Sequence, residues 1–528
     1  EVNLPRNTEL KGGTSLNVRP GGNPDRQQRR PVLVSLGPHV EGASLPHPDP
    51  GHPETMEEGV KKRFACKTPP INVIKLQKFK KFVARWLKEN MTPLDTSSDC
   101  TIQEWLNNTS YPLWRKKQLL DTWEKCDQTF LNSEGKPTKY CDVKGFMKDE
   151  TYTQYKHARG INSRRDEFKC RVGPIFKLIE KQLFQLDYFI KKVPINKRMK
   201  LIIEELTQTG ANYVSTDYTS FEAHFIKIIM EACEFQLYEY MSQNLPDHDW
   251  INIVKKVLGG RNKCSYKWLT VEVDATRMSG EMCTSLGNGF TNLMLFLFAM
   301  EEHKCTSYKG KIEGDDGLFS FYGQIPTKEF YAELGFTIKM ETHKELCHAS
   351  FCGILADPID QQIITDPLAE LVGFGWTSEK YAYSKQTKLN KLLFSKSLSL
   401  AYQYPGCPVL VALARYGIRV SGTTQTVIPD GTNEYEREML IESYNYYFKH
   451  GIPHEEPGMN TRMLVEKLYH LQVEDQLRIE KYLNNKNDLL PIDIDIPLHR
   501  DWTDYYERFS HQHLPQQQYE IAHPIVAA

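Results

Sequence analysis

The chain comprises 528 residues, of which 40% are hydrophobic, 25% charged and 11% aromatic, an ordinary globular composition long enough for two to four lobes. Its net charge of -1 excludes a uniformly basic coat for nucleic acid, but 15 Lys and Arg against six Asp and Glu between residues 144 and 200 leave the remainder net acidic, the pattern of a basic wall facing an acidic centre. Twelve cysteines without a CxxC pair or Cys/His zinc spacing exclude a zinc or disulfide framework and read as free thiols in a reducing compartment.

In chain order, residues 1–70 are rich in Pro, Gly and polar residues, as in RPGGNPDRQQRRP and LPHPDPGHPE, and are expected to form a flexible amino-terminal extension. No signal peptide is recognisable and the first residue is Glu, as expected of a processed product or the downstream part of a larger protein. VIKLQKFKKFVARWLKENM spaces its apolar residues at helical intervals, predicting a helix with a solvated face. In the basic segment 146–174, Lys148, Lys156, Arg159, Arg164 and Arg165 suit a triphosphate or an RNA backbone; a solvated charged loop is equally compatible. ANYVSTD reads as a strand ending in Asp217, with Glu222 beyond a turn. A long helix is expected from Thr284 through Met300; its LMLFLFAM run is too short for a membrane span and predicts a buried helix. KGKIEGDDGLFSFYG, residues 309–323, reads as two strands about a turn, with Asp316 and Gly317 supplying positive φ. After Asp357 the chain is largely helical, with a loop at VIPDGTNEYERE and no internal repeat.

Two adjacent carboxylates in EGDDG fit a solvated turn, or a cation held between them and others nearby. If the strands bearing Asp217 and EGDDG are neighbours, Asp217, Asp315 and Asp316 converge at one end of a sheet and repel severely unless cations are bound. Paired divalent ions held by such a cluster are the machinery of in-line phosphoryl displacement. In RMSGEMCTSLGNGFTNLM, Thr284, Asn288 and Asn292 share one helix face, after Ser279 and Gly280 as a flexible lead-in. Amides beside a metal site suit a ribose 2′-hydroxyl, which marks RNA against DNA. The same asparagines also suit buried backbone groups between packed helices.

The order of these segments resembles motifs F, A, B and C of viral RNA-dependent RNA polymerases, and RMSGEMCTSLGN with GDD is most similar to plus-strand viruses of the tombusvirus-like group. The family pattern SGxxxTxxxN is met by Ser279, Gly280, Thr284 and Asn288, and YAELGFTIKMETHKELCHASFCGIL is similar to motifs D and E. The resemblance implies an α+β right-hand polymerase with an antiparallel ferredoxin-like palm sheet and a mostly helical thumb. It divides the chain into fingers at 71–208 and 226–270, palm at 209–225 and 271–355, and thumb with a carboxy-terminal tail at 356–528. Asp217 and Asp315 become ligands of two Mg²⁺ or Mn²⁺ ions, with Asp316 as their neighbour. Asn288 becomes the ribose reader, with Ser279, Gly280 and Thr284 in the same nucleotide network; Arg159 lies over the incoming nucleotide with Lys156 beside it. Lys148, Arg164 and Arg165 serve RNA. Lys339 falls where the family keeps a lysine that protonates pyrophosphate, although Lys344 is close by. Glu222 departs from the usual Asp of motif A, and its extra methylene shifts the carboxylate relative to the sugar.

The implied activity is RNA-templated RNA synthesis from ribonucleoside triphosphates. The implied setting is the host cytoplasm at membrane-associated replication sites, with a membrane-anchoring viral partner protein. A reverse transcriptase shares the palm but lacks the SGxxxTxxxN helix. A metal-dependent nuclease needs neither the Arg/Lys cluster nor a 2′-hydroxyl reader, and a non-catalytic RNA-binding or assembly protein does not depend on Asp315.

Overall fold

Alternation along VKGFM, with Val143, Gly145 and Met147 buried and Lys144 and Phe146 exposed, makes this a strand with one covered face. NYVSTDY is instead buried almost throughout, the signature of a central strand, and Asp217 is its one exposed residue. In the computed structural model, which describes residues 4–20, 32–452 and 454–510, the strands are β1 (Ser15–Val18), β2 (Leu33–Ser35), β3 (Val143–Met147), β4 (Gly160–Arg164), β5 (Asn212–Tyr218), β6 (Arg261–Ser265), β7 (Leu269–Asp274), β8 (Thr306–Glu313), β9 (Asp316–Tyr322), β10 (Ile338–His343), β11 (Leu355–Asp357), β12 (Gln362–Ile364) and β13 (Trp376–Ser378).

A four-stranded antiparallel sheet runs β10-β5-β9-β8, and a five-stranded sheet runs β1-β7-β6-β3-β4. The helix Thr284–Glu302 is buried on nearly every side, which its apolar sequence dictates. One side stacks Phe296 on Phe319 of β9 at 3.8 Å, and another meets Phe79 and Trp86 of the helix Val73–Asn90. These elements share the largest apolar core. A second core gathers the helices after Pro367, so the chain beyond Asp357 is largely helical.

The expectation of a flexible amino-terminal extension fails over its described residues. β1 pairs with β7 and β2 with β13, the helix Pro53–Arg63 contributes Met56 and Val60 to the core under the five-stranded sheet, and Leu36, Val40, Ala43 and Leu45 join the second core. Composition misleads here because the apolar residues are few yet most of those from residue 32 onward find a surface made by distant parts of the chain. Prolines between them also lower the entropy lost on ordering. Most of RPGGNPDRQQRRP, and the tail beyond Ser510, lie outside the described residues.

Candidate active site

β5 ends beside the β8–β9 hairpin because Thr216 pairs with Gly317. Glu313 pairs with Asp316, so the turn is Gly314–Asp315. The positive φ falls on Gly314, at 57°, and not on Gly317 as the DG dipeptide predicted. Gly317 is needed for space: a Cβ there would lie 2.5 Å from the Phe319 ring and 2.6 Å from Thr216 Oγ1. This register carries Asp217, Asp315 and Asp316 to one sheet end, where a carboxylate oxygen from each lies within 4.8 Å of the others.

Burial, then the neighbouring Asp316 and Asp217, push the Asp315 carboxyl well above the usual carboxylate range, and Glu222 adds to the effect. Burial, then Asp217, push Asp316 up to about 7. Glu313 also presses on Asp316, and its Oε2 is buried without a partner. An all-oxygen donor set in mutual repulsion, with an orphaned carboxylate oxygen beside it, fits hard divalent cations. With chelator present, this cluster binds more protons in the native state than in the unfolded chain between the ordinary Asp value and about 7, so its contribution to stability is full in acid and is lost as pH rises through 7. Urea midpoints at pH 5 and pH 8 are expected to show this fall, and Mn²⁺ is expected to reverse it at pH 8.

The lead-in to the long helix is pinned rather than flexible. Ser279 Oγ donates to Gly160 O at 3.1 Å, and Gly280 N donates to Asn162 O at 2.9 Å. A Cβ on residue 280 would sit 2.8 Å from that same oxygen, which is why the position is glycine. Thr284 Oγ1 donates to the carbonyls of Met278 and Ser279, both at 3.1 Å. Asn292 Nδ2 donates to Gly314 O at 3.0 Å and Asp316 O at 3.1 Å, clamping the acidic hairpin to the helix.

Asn288 is buried, and its Oδ1 accepts from Arg277 Nε at 3.0 Å, which points its NH₂ end away from Arg277. Arg277 and Glu234 are both 0% exposed and pair at 2.6 Å; Tyr238 OH donates to Glu234 at 2.6 Å. Sequence reasoning gave Arg277, Glu234 and Glu313 no role, although Arg277 and Glu313 lie inside the quoted motifs. Gly287 makes room for the pair: a Cβ there would lie 2.3 Å from Arg277 Nη2 and 2.7 Å from Glu234 Oε2. Gly287→Ala is therefore expected to cost about 2–3 kcal/mol by overpacking, read as a lowered denaturant midpoint.

The basic segment divides. Arg164 is not available to RNA: its guanidinium is enclosed by Glu281 Oε1 at 2.6 Å, Cys141 O and Asn262 Oδ1, because residue 164 lies on the covered face of β4. Arg159 is half-exposed and bidentate to Glu150 at 2.6 and 2.7 Å. Burial raises the Glu150 carboxyl, but Arg159 overrides it and holds it at about 2. Lys148 shares Glu150 and also reaches Glu436 at 3.7 Å. Arg165 pairs with Glu167, and Lys156 is exposed. Lys339 stands directly opposite Asp217 in the β10–β5 ladder, so their side chains share a face; Lys344 lies beyond the strand.

No protein-family model matches the chain. It is similar to the RNA-directed RNA polymerase of greasy grouper nervous necrosis virus, 22% identical over 208 residues, and to those of striped jack and Atlantic halibut nervous necrosis viruses, each 22% identical over 209 and 214 residues. Each match covers 38% of this chain and 21% of the relative, so the chain spans about a fifth of the length of the curated relatives it matches. These relatives support the viral RNA-directed RNA polymerase class and do not single out the tombusvirus-like group.

Proposed function

We propose that this chain is an RNA-templated RNA polymerase that joins ribonucleoside triphosphates to an RNA 3′-hydroxyl. The observation that carries the reading is the meeting of Asp217, Asp315 and Asp316 at the end of an antiparallel sheet, from positions about a hundred residues apart in sequence. Asp217 and Asp315, with Asp316 beside them, are the residues that would hold two Mg²⁺ or Mn²⁺ ions. Bound there, such ions lower the pKa of an attacking hydroxyl and offset charge on the departing oxygen. The protein's own share is positioning and electrostatics.

Asn288, its carbonyl end occupied by Arg277, offers its NH₂ group to the ribose 2′-oxygen. Ser279, Gly280 and Thr284 keep the start of that helix in place through their bonds to residues 160, 162 and 278–279. Arg159, on exchanging Glu150 for the triphosphate, and Lys156 neutralise phosphate charge. Lys339, facing the acidic cluster, donates a proton to pyrophosphate. Lys148 and Arg165 remain as RNA contacts. In this reading the β10-β5-β9-β8 sheet is the palm, the five-stranded sheet with its helices the fingers, and the second core the thumb. Among the described residues no helix is long and apolar enough to cross a membrane; the membrane-associated cytoplasmic setting and the anchoring partner rest on the resemblance alone.

The test is extension of a defined RNA template with labelled ribonucleotides in Mg²⁺ or Mn²⁺. Template-length product that requires all four ribonucleotides supports the reading; shortening of the RNA, or deoxyribonucleotide use at equal efficiency, overturns it.

A further inference from the structure

Lys11 is 9% exposed although it carries a charge that unpaired burial disfavours. Its Nζ donates to Ala223 O at 2.8 Å and to Thr276 Oγ1 at 2.6 Å. Ala223 follows Glu222, and Thr276 precedes Arg277. The two loops are also joined by their backbones, Thr276 N donating to Phe225 O at 2.9 Å and Arg277 N to Glu222 O at 3.1 Å. Three non-glycine residues here have positive φ: Ser220 at 47°, Ala275 at 49° and Thr276 at 74°. Backbone held in that region persists only where its surroundings over-determine it. Lys11 is itself tethered, its N–H bonding Ala65 O at 3.0 Å and Leu10 bridging to Cys66, while Ser220 Oγ donates to Lys62 O at 3.0 Å. The amino-terminal segment thus grips both loops at once.

We infer that Lys11 is a positioning residue for nucleotide selection: its ammonium staples the Glu222 loop to the Arg277 loop and thereby sets Glu222 and Asn288 against the sugar of the incoming nucleotide. The inference rests on the polymerase reading. An apolar side chain would fill the same space at lower cost, and burial already lowers the Lys11 ammonium to about 8; what the charge adds is two directed hydrogen bonds to loops otherwise joined by backbone hydrogen bonds and the stacking of Arg277 on Phe225. Glu222 is reached in one step, as neighbour of Ala223, and Asn288 in two, through Thr276's neighbour Arg277 and its Nε.

Lys11→Met in the full chain tests this. Losing two charge-assisted bonds is expected to raise KM for ribonucleotides about tenfold and to lower the ribo-over-deoxy preference about tenfold, with kcat altered far less. Backbone amides at 222–225 and 275–277 are expected to exchange faster, and Lys11→Arg to recover part of the preference. Unchanged selection in Lys11→Met, whether or not the melting temperature falls, overturns the inference. If that variant does not fold, Thr276→Val, which removes the hydroxyl that accepts from Lys11 and donates to Asp274 O while leaving the ammonium and its bond to Ala223 O, decides between the same two outcomes. Failure of the polymerase reading looks different: the wild-type chain then extends no template, while amide exchange at 222–225 still responds to Lys11→Met.

Discussion

Asp315→Asn is expected to abolish RNA extension while making the metal-free protein more stable. The activity loss follows from the ligand set: with one of three carboxylates gone, several kcal/mol of charge stabilisation in the transition state is forfeited, and the rate falls by about a thousandfold or more. The stability gain follows from the same geometry, because Asp315 is pressed by Asp316, Asp217 and Glu222 in a partly buried site. A neutral amide of the same shape removes that repulsion and keeps the turn after Gly314. Melting curves in chelator at pH 8 should show the variant above wild type, and added Mn²⁺ should raise wild type more than the variant. A variant that is both inactive and destabilised would mean that Asp315 supports the hairpin rather than a cation.

The acidic cluster could be read from sequence because each of its parts is local: a strand run with an acid near its end, two adjacent acids at a hairpin, and a helix with amides four apart. What the sequence hides is which distant residue answers each of them. Glu234 is 43 positions from Arg277, and nothing in EFQLYEYMS separates Glu234, which is buried in an ion pair, from Glu239, which is exposed. Arg164 looked like its basic neighbours because the chain does not print which face of β4 is covered. Gly314 and Gly317 are indistinguishable as letters, yet one supplies a turn and the other a close approach. Lys11 was lost inside a Pro/Gly-rich average, where composition argued for flexibility and one buried ammonium outweighs it locally.

Arg277→Met is expected to cost about 3–5 kcal/mol, because it leaves the Glu234 carboxylate buried without its partner. Glu234 would keep only the Tyr238 hydroxyl, and the Phe225 ring would lose the guanidinium 4.5 Å above it. Adding Glu234→Met removes the stranded charge, and replacing a buried pair by apolar groups is often near neutral, so urea unfolding of the double variant should return most of the lost stability. Nucleotide selection should not return with it. Asn288 Oδ1 receives its hydrogen bond from Arg277 Nε and not from Glu234, so in both variants the amide is free to turn and present its carbonyl instead of its NH₂. The ribo-over-deoxy ratio is therefore expected to remain about tenfold low in the double variant, a single lost bond to a charged donor. Recovery of that ratio along with stability would make the pair a packing device and remove Arg277 from nucleotide selection.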